Sequence, residues 1–335
     1  MNDTDKQSFQ NVLSLARGQV QEYLTKADDV VADVARSAPV GVSSRMGKLI
    51  QRKGKKIRST ILSLLACTGK ELPDLDRVAH ACAGIELLHL ASLVHDDIID
   101  ETTMRRGERT AHMEWGNKIA VLIGDYILSQ AMRCVINEKT REIPLVLSSA
   151  ANNLIVGEIS ELDSTGDLNL SLAHYNEIIQ GKTAALVDAS ARIGALLAGF
   201  DAKVVEECGK MGTHFGLAFQ IIDDLLDYGI GAKDLDKAKF TDISNGLVTL
   251  PLIYYFESCP AEEKASMKEL LSHAAENDIP EKICAKLESS NAFEKAKNCA
   301  LEHVKAAIDI SKKLPPSKNM DTLTAFFFSM SDRQN

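Results

Sequence analysis

The chain has 335 residues, 45% hydrophobic and 25% charged, a balance ordinary for a soluble globular protein that can bury a large core. A net charge of −9 and an aromatic content of 5% exclude a global basic field and base-stacking platforms, so no nucleic-acid partner is expected. Seven scattered cysteines without a C-x-x-C pair indicate neither a zinc site nor a disulfide framework, and they fit a reducing cytoplasm.

The N-terminal run Met1–Lys6 is polar and acidic and carries no signal-peptide pattern. Helical periodicity follows, with Val12, Leu13, Leu15, Ala16, Val20, Tyr23 and Leu24 on 3.6-residue spacing. Arg52, Lys53, Lys55, Lys56 and Arg58 then cluster around Gly54. Three readings compete for this cluster: a nucleic-acid or import patch, a solvated helix start, or an oxyanion pocket. Ile61–Ala66 is again helical in spacing, and Lys70–Asp76 reads as a connector. The apolar run Leu87–His95 leads into Asp96-Asp97-Ile98-Ile99-Asp100, and Arg105-Arg106-Gly107 comes soon after. That second basic cluster favours the oxyanion pocket, because arginine forks take phosphate bidentately and lysine supplies a point charge. Helical spacing resumes over Ile119–Met132 and Leu145–Ile159, before a connector at Ser164–Leu172. Ala184–Phe200 is the longest apolar candidate, but it holds Asp188 and Arg192 and is too short to span a bilayer. Phe215–Ile222 leads into a second pentad, Asp223-Asp224-Leu225-Leu226-Asp227. Strand signals are scarce, and Asn245-Gly246 lacks the flanking alternation of a hairpin. With no composition shift to mark a boundary, the expected fold is a single all-α bundle over residues 1–335.

Both pentads read D-D-x-x-D, so their first and last carboxylates stack one helical turn apart and repel. An acidic pentad alone usually marks a solvated face. Here the apolar flanks carry the carboxylates into the protein or a cleft, where they need partners. Clustered carboxylates on rigid helices suit a hard divalent ion such as Mg²⁺, which keeps waters and takes remaining ligands from substrate phosphates. Two acidic and two basic clusters together describe a site for two anionic groups.

In this order the elements resemble those of the trans-polyprenyl diphosphate synthases, which elongate isoprenyl chains head to tail; the long-chain, octaprenyl type is the most similar. Gly54-Lys55-Lys56-Ile57-Arg58 resembles the G-K-R-x-R element that binds isopentenyl diphosphate, and Glu86-Leu87-Leu88-His89 supplies the histidine for the same group. Asp96–Asp100 with Arg105-Arg106-Gly107 resembles the first aspartate-rich motif, and Gly124-Asp125 a family G-D pair. Lys182-Thr183 resembles the K-T pair at the allylic diphosphate, and Phe219-Gln220 prefixes the second aspartate motif. Lys237 and Thr249-Leu250-Pro251 match the end of the pattern.

The resemblance implies an all-α fold around a central cavity and a homodimer. It assigns Mg²⁺ to Asp96, Asp97, Asp100, Asp223, Asp224 and Asp227, and the allylic diphosphate to Arg105, Lys182 and Lys237, with Thr183 and Gln220 completing the substrate site. Lys55, Arg58, His89 and Arg106 would hold isopentenyl diphosphate. Small residues at Ser92 and Ala91, four and five positions before the first motif, would open the chain-growth tunnel. One turn deeper the chain would meet Leu88 and Leu87, so products of about C35 to C50 are expected, with geranylgeranyl diphosphate as the alternative. The sequence departs from the pattern at Lys53 (glycine expected), Ser59 (proline) and Leu247 (lysine), while Asp242 is retained. Leu247 keeps open a non-catalytic subunit of a heteromeric synthase. His80, His89 and His95-Asp96 keep open a metal-dependent phosphohydrolase. Thr324–Phe328 reads as core or dimer packing, with membrane-surface product delivery as the other option.

Overall fold

The computed structural model describes residues 9–52, 54–230, 240–274, 276 and 278–332. In chain order the elements are α1 (Phe9–Gln19), α2 (Gln21–Ser37), α3 (Val40–Ile50), α4 (Ile57–Ala66), α5 (Leu75–Ile99), β1 (Met104–Arg105), β2 (Glu108–Arg109), α6 (Ala111–Trp115), α7 (Asn117–Val135), α8 (Glu142–Asp163) and α9 (Leu172–Ile179). A π-helical turn (Gln180–Ala184) runs into α10 (Ala185–Leu197), followed by α11 (Ala202–Asp227), α12 (Thr241–Ser244), α13 (Leu250–Ser258), α14 (Ala261–Ser272), α15 (Ile279–Ser289), α16 (Ala292–Ser311) and α17 (Lys318–Ser329).

Some of the helices, α5, α9, α11 and α17, start where a side chain replaces a missing backbone acceptor. Asp74 caps α5 by accepting from the Arg77 N–H at 3.0 Å, and Asp201 caps α11 by accepting from Val204 at 3.0 Å. Three apolar cores hold the bundle. One joins α5, α7 and α8 through residues such as Leu87, Ala91, Ile127 and Leu147. The second joins α1, α4, α10, α11 and α17; in it Phe215 lies 5.3 Å from Phe326 and 4.8 Å from Phe327, ring centre to ring centre. The third packs α9, α11, α13, α15 and α16 around Tyr255 and Phe293. The C-terminal aromatic run therefore splits: Phe326 and Phe327 are core, and Phe328 is exposed.

The fold is all-α as expected, and two points of the sequence reading need adjustment. The first is a local exception to the scarcity of strand signals: β1 and β2 form a small antiparallel hairpin pairing Met104 with Arg109 and Arg105 with Glu108. Its turn residues Arg106 and Gly107 have φ of 53° and 79°, the two positive values that such a two-residue turn needs. Strands of two residues are too short to show alternation. The second is the longest apolar stretch: α5 and α8, not Ala184–Phe200, are long and apolar enough to cross a membrane by length and composition. The apolar window of α5 is mostly buried inside the bundle, whereas only a third of that of α8 is.

Candidate active site

Both acidic motifs sit at helix C-termini. Asp100 caps α5, and Asp227 is the last residue of α11. Carboxylates there face the negative end of the helix dipole, an unfavourable placement of about 0.3–1 kcal/mol each that a cation offsets. Lys182, carried on the π-helical turn, lies between the motifs. The turn sits directly on α8: a Cβ on Gly181 would lie 2.8 Å from the Asn153 carbonyl oxygen, and one on Gly157 would strike the Lys182 backbone nitrogen. Glycine at both positions allows that approach, and a π turn inserts the extra residue that re-aims Lys182. Lys182 pairs with Glu158 at 3.2 Å and with Glu161. Burial lowers its pKa, but Glu161 and Glu158 more than reverse this, so the ammonium stays charged.

Around Lys182 the carboxylates strain against burial. Burial pushes Asp96 up to about 7, with Glu158 adding to the rise and Lys182 opposing it. Burial likewise lifts Asp224 to about 7, and it lifts Asp242 to about 8, reinforced by Asp224 and Asp227. Asp97 is raised by burial against the pull of Arg105, whose Nε donates to it at 2.7 Å. Asp224 accepts from Tyr175 Oη at 2.6 Å and Gln220 Nε2 at 2.8 Å, and Gln220 in turn accepts from Thr183 Oγ1 at 2.5 Å. This chain of bonds locks the Lys182-Thr183 turn to the second motif. Asp227 accepts from the backbone N–H of Thr241 at 3.1 Å and Asp242 at 3.0 Å, and so anchors α12. A small cavity of about 100 Å³ opens here, lined by Lys182, Gln220, Asp224, Asp242 and Leu247 among others.

The basic cluster divides by role. Lys56, with a left-handed φ of 54°, pairs with Asp28 on α2, and Arg52 turns to the hairpin. Lys55 is exposed, and Arg58 points inward with its Nε buried and without a hydrogen-bond partner. Burial lowers the Arg58 pKa, while Glu86 and Asp223 oppose that shift. Ser59, where proline is expected, is buried and donates its hydroxyl to Glu86. Burial holds His89 well below its ordinary value, and Arg58, Arg106 and Arg105 push it further down. A neutral imidazole among three guanidiniums, one with an orphaned donor, is a pocket built for an anion.

Lys237 lies outside the described residues. His80 is exposed and bonds its own helix at the Asp76 carbonyl, 2.7 Å away, while His95 packs on Gly124 and sits 3.5 Å from Asp125. The histidines invoked for phosphohydrolase chemistry therefore do not gather. Glu158, Glu161 and Tyr175 join the site unannounced by the sequence, because the partners that bring them in, Lys182 and Asp224, lie 24, 21 and 49 residues away along the chain. Among the described residues no three acid, imidazole or thiol groups converge to cage an ion alone. The donor set is nevertheless all oxygen and short of positive charge, which fits a hard divalent ion completed by phosphate oxygens and water.

Residues 42–287 match the family model of the polyprenyl synthetases. The octaprenyl diphosphate synthase of Haemophilus influenzae is 29% identical over 99% of this chain and 99% of its own. A decaprenyl diphosphate synthase from Rhodobacter capsulatus superposes with a TM-score of 0.90, at 25% identity, over 96% of this chain and 99% of its own. A polyprenyl synthase from Caulobacter crescentus, complexed with calcium and isoprenyl diphosphate, gives 0.85 at 27% identity over 96% and 98%. The chain belongs to the polyprenyl synthetase family and is a prenyltransferase with the all-α isoprenoid synthase fold. Its family acts on prenyl diphosphates with a divalent metal.

Proposed function

We propose that this protein condenses an allylic diphosphate with successive isopentenyl diphosphates to a long-chain all-trans polyprenyl diphosphate, with Mg²⁺ as the metal. The observation that carries it is the pairing of two pockets: Lys182 between two acidic helix ends, and His89 among Arg58, Arg105 and Arg106. The first suits an allylic diphosphate on metal, the second a metal-free isopentenyl diphosphate. Mg²⁺ when bound supplies Lewis-acid charge at the leaving oxygens. We assign it to Asp96, Asp100 and Asp223, with Asp97, Asp224 and Asp227 orienting the frame through their protein hydrogen bonds.

In this scheme the allylic C–O bond breaks and its electron pair leaves with the diphosphate. Lys182, with Arg105, holds that leaving group as its charge grows. The isopentenyl double bond attacks the allylic carbocation, forming the new C–C bond, and a proton passes to the departed diphosphate. No side-chain nucleophile is required, and the apolar wall of α5 shields the cation from water. Relatives named for octaprenyl and decaprenyl products support a long chain. So does buried Ala91, with half-buried Ser92 beside it and no aromatic ring at either position. Geranylgeranyl diphosphate is the alternative product.

A homodimer is supported by the exposed apolar residues Ile119, Val121 and Leu122 on α7 and Leu145, Val156 and Ile159 on α8. The free thiols support a reducing, cytoplasmic setting. The test is an incubation with Mg²⁺, labelled isopentenyl diphosphate and allylic primers of three lengths, followed by sizing. Products of about C35 to C50 are expected if the tunnel passes a full helical turn below Ala91. Arrest at C20 establishes the alternative, and no elongation by the purified chain points to the subunit role that Leu247 suggested.

A further inference from the structure

Arg52 belongs to the basic cluster by sequence, yet its guanidinium turns away from the anion pocket. Its Nε donates to Glu108 Oε2 at 2.9 Å, and its Nη2 donates to the Arg109 carbonyl at 2.7 Å. Both partners lie on β2. In return Arg106, at the hairpin turn, donates from Nη1 to the Arg52 carbonyl at 3.0 Å. The Arg106 guanidinium also lies 3.7 Å from where a Cβ on Gly54 would stand, over the start of the isopentenyl diphosphate element.

A two-stranded hairpin of two residues per strand does not hold its own shape in water. This one is pinned at two corners. On β1, Arg105 binds Asp97 at the end of α5, and on β2, Arg52 binds Glu108 and the Arg109 carbonyl. The Arg52 side chain is only 10% exposed while its partner Glu108 stands 62% exposed, so the clasp is ordered from the arginine side and its carboxylate remains in reach of solvent. Release of the second corner lets the turn, and Arg106 with it, swing away from Gly54.

We propose that Arg52 is a positioning residue for isopentenyl diphosphate: it clasps β2 and thereby holds Arg106 over the anion pocket without touching the substrate. The proposal rests on the assignment of Arg106 to that pocket made above. The competing role for Arg52 is direct contact with phosphate, and Glu108 separates the two. If Arg52 were a ligand, Glu108→Gln would free its charge and leave the KM for isopentenyl diphosphate unchanged or lower. If Arg52 is a clasp, Glu108→Gln loosens the hairpin and raises that KM.

The experiment measures KM for both substrates and kcat in wild type, Arg52→Met, Glu108→Gln and the charge-exchanged double variant Arg52→Glu/Glu108→Arg, with thermal melts on each. The clasp predicts that Arg52→Met raises the KM for isopentenyl diphosphate about tenfold and Glu108→Gln several-fold, with kcat and the allylic KM within about twofold. The double variant is expected to recover part of the loss, with a KM for isopentenyl diphosphate below that of Arg52→Met, because the ion pair is restored with its sign reversed while the Arg109 carbonyl still lacks the donor that Arg52 supplied. An unchanged or lowered KM in Glu108→Gln overturns the clasp, and so does an equal effect on both substrates. If Arg52→Met fails to fold, Glu108→Gln still decides, since Glu108 is 62% exposed and its loss leaves the core intact. A wild type that does not consume isopentenyl diphosphate overturns the functional assignment instead.

Discussion

Asp96 shows how much a single side chain is asked to do. Burial and Glu158 lift its carboxyl to about 7, so without a cation it carries its charge only part of the time at neutral pH. A divalent ion reverses that balance, because ligation requires the deprotonated oxygen. Asp96→Ala and Asp223→Ala are each expected to lower kcat by about 10³ or more, a loss on the scale of removing a preorganised electrostatic group from a transition state. Melting temperature should hold or rise, since the neighbouring carboxylates then repel less. Turnover within tenfold of wild type in either variant would remove that residue from the metal site. The pentads were legible in sequence because the i, i+4 spacing carries its own geometric meaning. The separate duties within them were not. Asp97 serves Arg105, Asp224 serves Tyr175 and Gln220, and Asp227 serves the backbone of α12, and each of those partners is eight or more residues away except Gln220, four away.

At the scale of elements, α5 does most of the positioning. One helix carries His89, the small residues Ala91 and Ser92 to which we assign the chain-growth path, and the first acidic motif at its end. Ala91 is 2% exposed, and Leu88 and Leu87 lie below it in the core. An interior this tight does not absorb a ring without moving, at a cost of about 1–3 kcal/mol. Ala91→Phe is therefore expected to shorten the product by several isoprene units, seen as a shift of the main band in reversed-phase sizing, while isopentenyl diphosphate binding persists. Unchanged product length would place the tunnel on another face of α5. The helices themselves were readable from periodicity: Ile61–Ala66, Ile119–Met132 and Leu145–Ile159 all fall inside α4, α7 and α8. The π turn at Gln180–Ala184 was not, because its cause is the contact of Gly181 with Gly157 on α8 rather than any local propensity.

Across the whole molecule the distribution of apolar surface is uneven. α5 is mostly buried, whereas α8 leaves Leu145, Val156 and Ile159 on the surface and α7 leaves Leu122. Burying such a face between two copies needs about 1,000 Å² or more of total interface to be stable. Sedimentation is expected to give twice the chain mass of 36.5 kDa. Val156→Glu is expected to shift the population to monomer by placing an unpaired charge in an apolar contact. A wild type that sediments as a monomer at micromolar concentration would leave this face to some other partner.

The sequence by itself determined the fold class and singled out the two acidic motifs, because both depend on short-range spacing. An apolar period of 3.6 residues means a helix, and carboxylates at i and i+4 share a face wherever that helix goes. Tertiary structure alone decided which protein partner each cation of the basic cluster takes. By charge and position Arg52, Lys56 and Arg58 are members of one basic cluster, and only the family resemblance set Arg58 apart; in the fold Arg52 meets Glu108, Lys56 meets Asp28, and the Arg58 Nε is buried without a hydrogen-bond partner. Their partners are 28 and 56 residues distant along the chain. Charge has no periodicity that records such distances, so the division of labour exists only once α2, α4 and the hairpin have packed.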